Sequence, residues 1–272
     1  MNQTRTITVV GIDGTTSAEK LDAIAVEEPL AIHLAFGPIR ERRRITLSVT
    51  MRTPGNDADL AAGLLVSEGV VKDQDEVLGI EAGTIQNTIR VELHPDVPVD
   101  LVRLERYGFT SSSCGVCGKT SLEAVEAACD GPAPSSRTIA AAIIHALPDR
   151  LRAAQPGFAQ TGGIHAAALF DMDGNLLAVR EDVGRHNAVD KLIGAEFLAG
   201  RVPLTERVLF VSGRAGFELV QKAAVAGVPV FAAVGAPTSL AVELAERLGV
   251  TLLGFVRDGR FNIYCGAGRV AL

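Results

Sequence analysis

Two cysteines, Cys114 and Cys117, are the residues of this sequence whose type and spacing best suit chemistry. The thiolate is the nucleophile in sulfur transfer, and a nearby ammonium group and a helix N-terminus both favour it over the thiol. Lys119 follows two residues after the second cysteine, and a helix is predicted from Leu122 to Ala128. The Ser- and Gly-rich surroundings, FTSSSCGVCGKTS, indicate an accessible loop. The pair is therefore typical of a sulfur carrier or a thiol redox catalyst.

Other interpretations of this cysteine pair stay open at this point. Two cysteines at this spacing are also half of a structural zinc site, but Cys129 and Cys265 are isolated and no second Cys or His pair lies at ligand spacing. A thioredoxin-like redox site needs an apolar strand that runs directly into the motif, whereas the residues before it are Thr110 to Ser113. Sulfur carriage, thiol redox chemistry, structural zinc and an inert surface pair all remain hypotheses.

Two further segments, SGRAGFELV and GAPTSLAVEL, each follow an apolar strand and begin a helix. At such turns the free N–H groups of the helix meet the carboxyl end of the strand, where ligands of open α/β sheets bind. Gly213 permits close backbone approach, Arg214 can pair with phosphate, and Thr238 and Ser239 can donate hydrogen bonds. Ordinary helix capping is the alternative. Two neighbouring turns favour a nucleotide site over capping alone.

The tail FVRDGRFNIY places arginines beside aromatic rings. A planar cation among rings suits a base and a phosphate, although an edge hairpin has the same composition. The candidate ligand-binding residues of this tail are Phe255, Val256, Arg257, Asp258, Gly259 and Arg260.

Two histidines complete the set of candidate residues. His165 follows Gly162 and Gly163 in TGGIHAAALF, but Ala167 stands where a zinc deaminase of the H-x-E type has its catalytic Glu. We therefore expect no deaminase chemistry, and a hydrogen-bonded structural histidine is the alternative for His165. His186 lies in the polar segment VREDVGRHNAVDKL at a strand-to-helix turn, which is either a solvated cap or a site. This segment also contains Asp182, Gly184, Arg185, Asp190 and Lys191.

Two regions of different character must position these residues. Residues 4 to 51 are β-rich, and RITLSVTM predicts one apolar face by its alternation. The side chains predicted on that face are Ile45, Leu47, Val49 and Met51. A helix is predicted from about residue 57 to 68, capped by Asn56 or Asp57 and ended at Gly69. The segment GPAPSS, residues 131 to 136, is the best boundary, so the predicted domains are 1–135, a β-rich α+β domain that ends in the cysteine loop and its helix, and 136–272.

Beyond this boundary helices and strands alternate, which predicts a layered α/β domain. A helix at about 138–153 precedes a β-hairpin centred on Asp173 and Gly174. A helix at about 187–199 follows, and then strand RVLFVSG, helix 215–226, strand VPVFAAV, helix 238–248 and strand VTLLGFV. A last short strand, RFNIY, closes the domain.

Composition limits the classes of function. The chain has 272 residues, 47% hydrophobic and 21% charged, with a formal net charge of -6. No basic surplus is present to attract nucleic acid, and neither a signal peptide nor a run of 18 apolar residues is visible. The sequence therefore predicts a globular cytoplasmic protein that interacts with neither nucleic acid nor membrane.

Taken together, these segments resemble the formate dehydrogenase accessory sulfurtransferase family, FdhD/NarQ. The resemblance covers nearly the whole chain. It runs from EEPLAIHL through RTPGNDADLAAGLLVSEG, SSSCGVCGK, TGGIHAAALF, REDVGRHNAVDKLIG, SGRAGFELVQKAA and APTSLAVELAE to GFVRDGRFNIY.

The resemblance implies a fold and a role for the candidate residues. The fold would be a three-layer α/β/α second domain with a mixed sheet, related to cytidine deaminases without their zinc site, in a homodimer. A cysteine desulfurase would load a persulfide onto Cys114 or Cys117, and Cys114 is favoured. The sulfur would pass to bis(molybdopterin guanine dinucleotide), the molybdenum cofactor, before its insertion into formate dehydrogenase, and GDP would act as an analogue. Residues 255–260, SGRAG and APTSL would hold this cofactor.

Two functions of other classes use the same residues. A thiol-disulfide oxidoreductase would require both cysteines equally and no guanine nucleotide site. A binding module with a structural zinc would hold stoichiometric metal.

Overall fold

The structure is a computed structural model that describes residues 3–101, 131–132 and 137–272. Cys114, Cys117 and Lys119 lie outside the described residues, as does the helix predicted from residue 122 to 128. The predicted boundary at residues 131–136 is described only at 131–132, and the domain limits stay a prediction.

As far as the structure describes it, the first half of the chain contains a β-hairpin, a mixed four-stranded sheet and an α-helix. Strands β1 (Thr4–Asp13) and β2 (Thr16–Ala25) form a hairpin, whose turn contains Gly14 with a φ of 58° that glycine adopts without steric penalty. A separate sheet has the order β4-β3-β6-β5. Its strands are β3 (Glu28–Phe36), β4 (Arg43–Arg52), β5 (Val77–Ala82) and β6 (Thr88–Leu93).

The apolar face predicted for β4 is wrong in its second half. The pairing of β3 with β4 shifts between Ile32 and His33, and Leu47 is the unpaired extra residue. Such a β-bulge changes which side of the strand faces the core. The first two predicted side chains contact the core, whereas Val49 is 64% and Met51 is 47% exposed. The inserted residue depends on the partner strand, so alternation along one strand does not reveal it.

Helix α1 (Asp57–Ser67) has the predicted bounds but a different start. Asn56 precedes it in the left-handed region, with a φ of 56°, and forms no side-chain cap. The Asp57 carboxylate instead accepts hydrogen bonds of 2.9 and 3.0 Å from Arg52, which is fully buried. Gly69, with a φ of 66°, ends the helix as predicted.

The second half is built around a six-stranded sheet of order β13-β12-β11-β10-β8-β9. Its strands are β8 (His165–Asp171), β9 (Leu176–Asp182), β10 (Arg207–Val211), β11 (Val230–Ala233), β12 (Thr251–Arg257) and β13 (Arg260–Cys265). The helices are α2 (Ala141–Ala153), α3 (Pro156–Thr161), α4 (Arg185–Leu198), α5 (Phe217–Val225) and α6 (Ser239–Arg247). Short strands β7 (Ile139–Ala140) and β14 (Val270–Ala271) pair in parallel. These elements confirm the predicted hairpin and the predicted alternation.

Alternate side chains of the central strands face two separate cores. Val208 and Phe210 of β10 pack with α2, whereas Leu209 and Val211 pack with α4, α5 and α6. Helices thus cover both faces of a sheet in which β10, β11 and β12 are parallel and the other pairs antiparallel. The predicted α/β class is confirmed: a mixed sheet lies between two layers of helices. The relation to cytidine deaminases stays a prediction.

Helices α1 and α4 bring the two halves into direct backbone contact. A Cβ atom added to Gly63 would clash with the carbonyl group of Asp190, and one added to Gly194 would clash with that of Asp59. Only glycine permits this approach. One hydrophobic core includes side chains of both helices, among them Leu60, Leu65, Val189 and Leu192.

Candidate functional site

One edge of the six-stranded sheet brings most of the described candidate residues together. Strands β10, β11 and β12 are parallel, so their carboxyl ends lie at the same edge. Strand β8 is antiparallel to both β9 and β10, so its start, His165, lies beside the ends of those two strands. Helices α4, α5 and α6 begin directly after β9, β10 and β11. We call this region, residues 165, 182–186, 212–216, 235–239 and 254–260, the carboxyl edge.

Backbone hydrogen bonds link three successive turns along the carboxyl edge. The N–H of Gly235 donates to the carbonyl of Gly213 at 2.9 Å, and that of Ala215 donates to Ala236 at 3.1 Å. The N–H of Phe255 then donates to Gly235 at 3.0 Å. The SGRAG turn, the GAPTS turn and the aromatic tail are therefore adjacent in the order of their strands.

The spacing of these turns depends on two glycines that the sequence did not single out. A Cβ atom on Gly235 would lie 3.0 Å from the carbonyl oxygen of Gly213, and one on Gly254 would lie 2.9 Å from both Pro237 and Tyr264. A Cβ atom on Gly213, the glycine that was singled out, would lie at an ordinary van der Waals distance of 3.5 Å from the ring of His165. In the sequence nothing distinguishes the crowded glycines from the others, because the crowding comes from the neighbouring turn.

The polar residues of the two helix-starting turns have different roles in the structure. Arg214 is exposed, so its guanidinium is available to a ligand. The hydroxyl of Thr238 accepts a hydrogen bond of 3.4 Å from the N–H of Ala241, which is the capping role weighed as an alternative. Ser239 follows as the first helical residue and is exposed.

The aromatic tail forms a tight turn between β12 and β13. Phe255 and Asp258 both have a φ of 54°, which is uncommon for residues with a side chain and rare for a bulky one. The Arg257 guanidinium carbon lies 5.7 Å from the centroid of the Phe255 ring, within the range of a cation–π contact. Gly259 and Arg260 are exposed at the turn, whereas the side chain of Val256 is fully buried in the core beside α2.

Phe261 does not join the rings at the carboxyl edge. Its ring centroid lies 5.0 Å from that of His145 on α2, so it packs within the layer on the opposite side of the sheet. Only one of the two rings that the sequence placed beside the arginines is thus near Arg257.

His165 is half-buried at the start of β8. Burial and the nearby Arg185 lower its pKa, and Asp182 opposes this shift. The His165 ring, which lies beside Gly213, is therefore neutral at physiological pH.

His186 belongs to a double polar contact between α4 and α5. Its Nε2 lies 3.1 Å from Oε2 of Glu218. Four residues further along each helix, Lys222 donates to both carboxylate oxygens of Asp190 at 2.7 and 2.8 Å, and Asp190 also accepts from Ser67 of α1 at 2.7 Å. Burial lowers the pKa of His186 to about 3, assisted by Lys222, Arg185 and His165.

The Asp190–Lys222 pair is buried and charged. Burial raises the pKa of Asp190, and the nearby Lys222 opposes this rise. Burial also disfavours the Lys222 ammonium, but Asp190 and Glu68 outweigh it and raise its pKa. Because both carboxylate oxygens receive short contacts from Nζ, we take the pair as ionised, with Lys222 as the cation that acts on His186.

The ion pair of Asp182 and Lys191 hydrogen-bonds the first half of the chain beside the carboxyl edge. Lys191 Nζ lies 2.7 Å from Asp182 Oδ2, and both side chains are fully buried. Thr53 of the first half is held from both sides, since its N–H donates to Asp182 at 3.1 Å and its carbonyl accepts from Lys191 at 2.8 Å. Asn187 adds a hydrogen bond of 2.7 Å to the carbonyl of Met51. These residues of the polar segment are structural.

The sequence interpretation did not identify Thr53, Glu218 or Lys222. The available signal was the matched spacing of four residues between His186 and Asp190 on one helix and between Glu218 and Lys222 on the next. That spacing becomes informative only when both helices are known to begin at the same edge.

The described residues hold no metal-binding cluster and no membrane-spanning helix. No group of three or more His, Cys, Asp or Glu side chains in residues 3–101, 131–132 and 137–272 can hold a metal ion. Within those same ranges, no helix combines the length and apolarity needed to cross a bilayer. The chain is thus an α/β protein whose mixed sheet presents linked polar turns at one edge.

Comparison with known proteins identifies the family. The FdhD/NarQ family profile matches residues 25–271. The sulfur carrier protein FdhD of Streptomyces coelicolor is 48% identical over 270 residues, covering 96% of this chain and 93% of the relative. FdhD of Mycobacterium tuberculosis is 48% identical over 261 residues, with 92% of both chains covered. The chain therefore belongs to the FdhD/NarQ family.

A solved structure agrees with this assignment. It is described as a formate dehydrogenase accessory protein from Desulfotalea psychrophila, and it matches with a TM-score of 0.75 at 25% identity. The match covers 99% of this chain and 100% of that chain.

Proposed function

We propose that this protein is a cytoplasmic sulfur carrier required for formate dehydrogenase activity. It receives persulfide sulfur from a cysteine desulfurase and transfers it to bis(molybdopterin guanine dinucleotide), the substrate, before that cofactor enters formate dehydrogenase. The observation that carries the proposal is 48% identity to proteins named sulfur carrier protein FdhD over 96% of the chain.

The chemistry of the first step needs one thiolate. The thiolate of Cys114 or Cys117 attacks the terminal sulfur of the desulfurase persulfide, a new S–S bond forms, and the desulfurase cysteine leaves as a thiolate. No external oxidant enters this exchange. We favour Cys114 as the carrier because it precedes Cys117 and is farther from the predicted helix, and access for a large donor protein limits transfer before acidity does.

Mass spectrometry after incubation with a cysteine desulfurase and cysteine tests this step. Wild type and Cys117→Ala should gain the mass of one sulfur atom per chain, and Cys114→Ala should not. Cys265→Ala is the matched control, because Cys265 is half-buried and burial raises its pKa, which makes a thiol inert. Loading of Cys114→Ala alone would reverse the assignment. An intramolecular disulfide formed during turnover would support the oxidoreductase alternative.

We propose that the carboxyl edge binds the guanine nucleotide part of the cofactor. Two adjacent turns that begin helices, the exposed Arg214 and the neighbouring Phe255–Arg260 segment support this assignment. Calorimetric titration with GDP should show binding that weakens about tenfold in Arg214→Ala or Arg260→Ala, since a charge-assisted hydrogen bond contributes about 1.5–3 kcal/mol. Arg201→Ala is the control, since Arg201 lies at the far end of α4 and pairs with Glu196. Absence of GDP binding by folded wild type would refute the site.

The assembly is part of the same proposal. We propose a homodimer, as the resemblance implies, with a desulfurase and formate dehydrogenase as partners. Sedimentation velocity at micromolar concentration should give the mass of two chains, and a monomer would contradict it.

A further inference from the structure

Among the residues that the structure describes, Glu218 is the one whose carboxylate lies within ion-pair distance of a ring nitrogen of His186. The Nε2–Oε2 distance is 3.1 Å, and the two side chains are 24% and 18% exposed. Both residues occupy the first turn of their helices, α4 and α5, which begin at the carboxyl edge.

The surroundings determine the protonation of this ring. Burial, followed by Lys222, Arg185 and His165, disfavours a charge on it, and the Glu218 carboxylate lies beside it. A neutral imidazole has one donor nitrogen and one acceptor nitrogen. Since an ionised carboxylate only accepts hydrogen bonds, the proton belongs on Nε2, and Nδ1 becomes the acceptor.

The other ring nitrogen of His186, Nδ1, differs from Nε2 in its contacts. Among the residues that the structure describes, none forms a hydrogen bond with Nδ1 of His186. Because Nδ1 is also not one of the fully buried polar atoms that lack a partner, it is open to a ligand. The ring also lies close enough to His165 to interact with it electrostatically, and His165 stands over Gly213 in the SGRAG turn.

We propose that His186 recognises an N–H or O–H donor of the bound nucleotide through Nδ1, and that Glu218 is the positioning residue that fixes the required tautomer. His186 then selects a base amino group, a ring N–H or a sugar hydroxyl, and not a phosphate oxygen. The inference rests on the proposed nucleotide site and adds the chemistry of one contact within it.

Two amide substitutions separate the two nitrogens of the ring. The side-chain oxygen of Asn is two bonds from Cβ, as Nδ1 is, and the amide of Gln is three bonds from Cβ, as Nε2 is. In calorimetric titrations His186→Asn should bind GDP within about threefold of wild type, and His186→Gln should bind about five- to tenfold more weakly, the loss expected for one hydrogen bond. His94→Gln is the control, because His94 is a half-exposed histidine that follows β6 and does not belong to the carboxyl edge.

Nucleotide analogues identify the donor. If the base amino group is recognised, inosine diphosphate should lose affinity for wild type but not for His186→Gln. If a sugar hydroxyl is recognised, 2′-deoxy-GDP should show that pattern instead. Affinity of His186→Gln equal to that of wild type, or an equal loss in the Asn and Gln variants, would overturn the inference. Absence of GDP binding by wild type would instead refute the nucleotide site itself, and the inference with it.

The role of Glu218 has its own readout, independent of nucleotide binding. With ¹⁵N-labelled histidine, the ring nitrogens of His186 should show a proton on Nε2 and none on Nδ1 from pH 5 to 8. Glu218→Gln should give a mixture of tautomers, because an amide both donates and accepts. A proton on Nδ1 in wild type would contradict the positioning role.

Discussion

Phe255 holds a left-handed backbone, with a φ of 54°, at the point where β12 reaches the carboxyl edge. The left-handed conformation costs an L-residue roughly 1–2 kcal/mol. Such strain persists where the surroundings fix the backbone, here the hydrogen bond of 3.0 Å from Phe255 N–H to Gly235. The position combines a strained backbone with an aromatic ring that is partly exposed at the carboxyl edge.

We expect Phe255→Gly to be more stable than Phe255→Ala by about 1 kcal/mol, because glycine adopts this φ without strain and both variants lose the ring. The melting temperature should differ by about 2–4 °C, and GDP binding should fall equally in both. A glycine variant that melts below the alanine variant would mean that Phe255 is unstrained.

The low pKa of His186 predicts a pH dependence of stability. An unfolded histidine titrates near 6.5, whereas burial and the nearby cations lower the pKa in the folded protein to about 3. Between these values only the unfolded chain takes up the proton, so stability is complete above about pH 6.5 and falls as the pH drops towards 3.

This group alone contributes up to about 1.4 kcal/mol per pH unit. Urea unfolding at pH 7 and 5 should therefore show a loss about 2 kcal/mol larger in wild type than in the non-titrating His186→Asn. Equal losses would show that the histidine is readily protonated in the folded state.

At the scale of elements, the contact between α1 and α4 depends on glycine. Gly63→Ala raises helix propensity by about 1 kcal/mol but places a Cβ against the backbone of Asp190. We expect a net destabilisation of about 2–3 kcal/mol, measured as a lower urea midpoint at an unchanged slope. Gly79→Ala is the control, since no atom lies within 4 Å of its added Cβ. A neutral Gly63→Ala would show that the helices can move apart.

Most elements were predictable from the sequence, because each has a local signal. The hairpin at Asp173 and Gly174 and the helix ended by Gly69 depend on turn chemistry within a few residues. The second half of β4 was not predictable, because its bulge depends on the partner strand. The Gly63 and Gly194 contact was not predictable either, since a glycine within a helix has the same sequence signal whether or not another helix touches it.

At the scale of the molecule, the parallel strand order explains why motifs separated along the chain meet at one edge. The sequence predicted the SGRAG and GAPTS turns as neighbours, and the hydrogen bonds from Gly235 to Gly213 and from Ala215 to Ala236 agree. It could not place Thr53 beside Asp182, because that contact joins residues 129 positions apart. Nor did composition separate Phe255, at the edge, from Phe261, which packs on α2.

Because Asp182 and Lys191 hydrogen-bond Thr53 of the first half, we expect the two halves to unfold in a single transition. Lys191→Met leaves the Asp182 carboxylate buried without its cation, which costs about 3–5 kcal/mol. Because one core spans α1 and α4, the whole molecule should unfold at lower urea concentration while remaining cooperative. Arg201→Met, which removes a pair with a 57% exposed arginine, should change stability by less than about 1 kcal/mol. Two separate transitions in wild type would mean that the halves fold independently.

The hydrogen bonds between the three turns have a kinetic consequence. Ordering the backbone of one residue costs about 1–2 kcal/mol, and backbone hydrogen bonds join these turns to one another. If this edge is the nucleotide site proposed above, we expect binding to lose little affinity to conformational entropy, because the turns are preorganised. In stopped-flow experiments association of the nucleotide should be a single step, with an observed rate that rises linearly with nucleotide concentration and reaches no plateau.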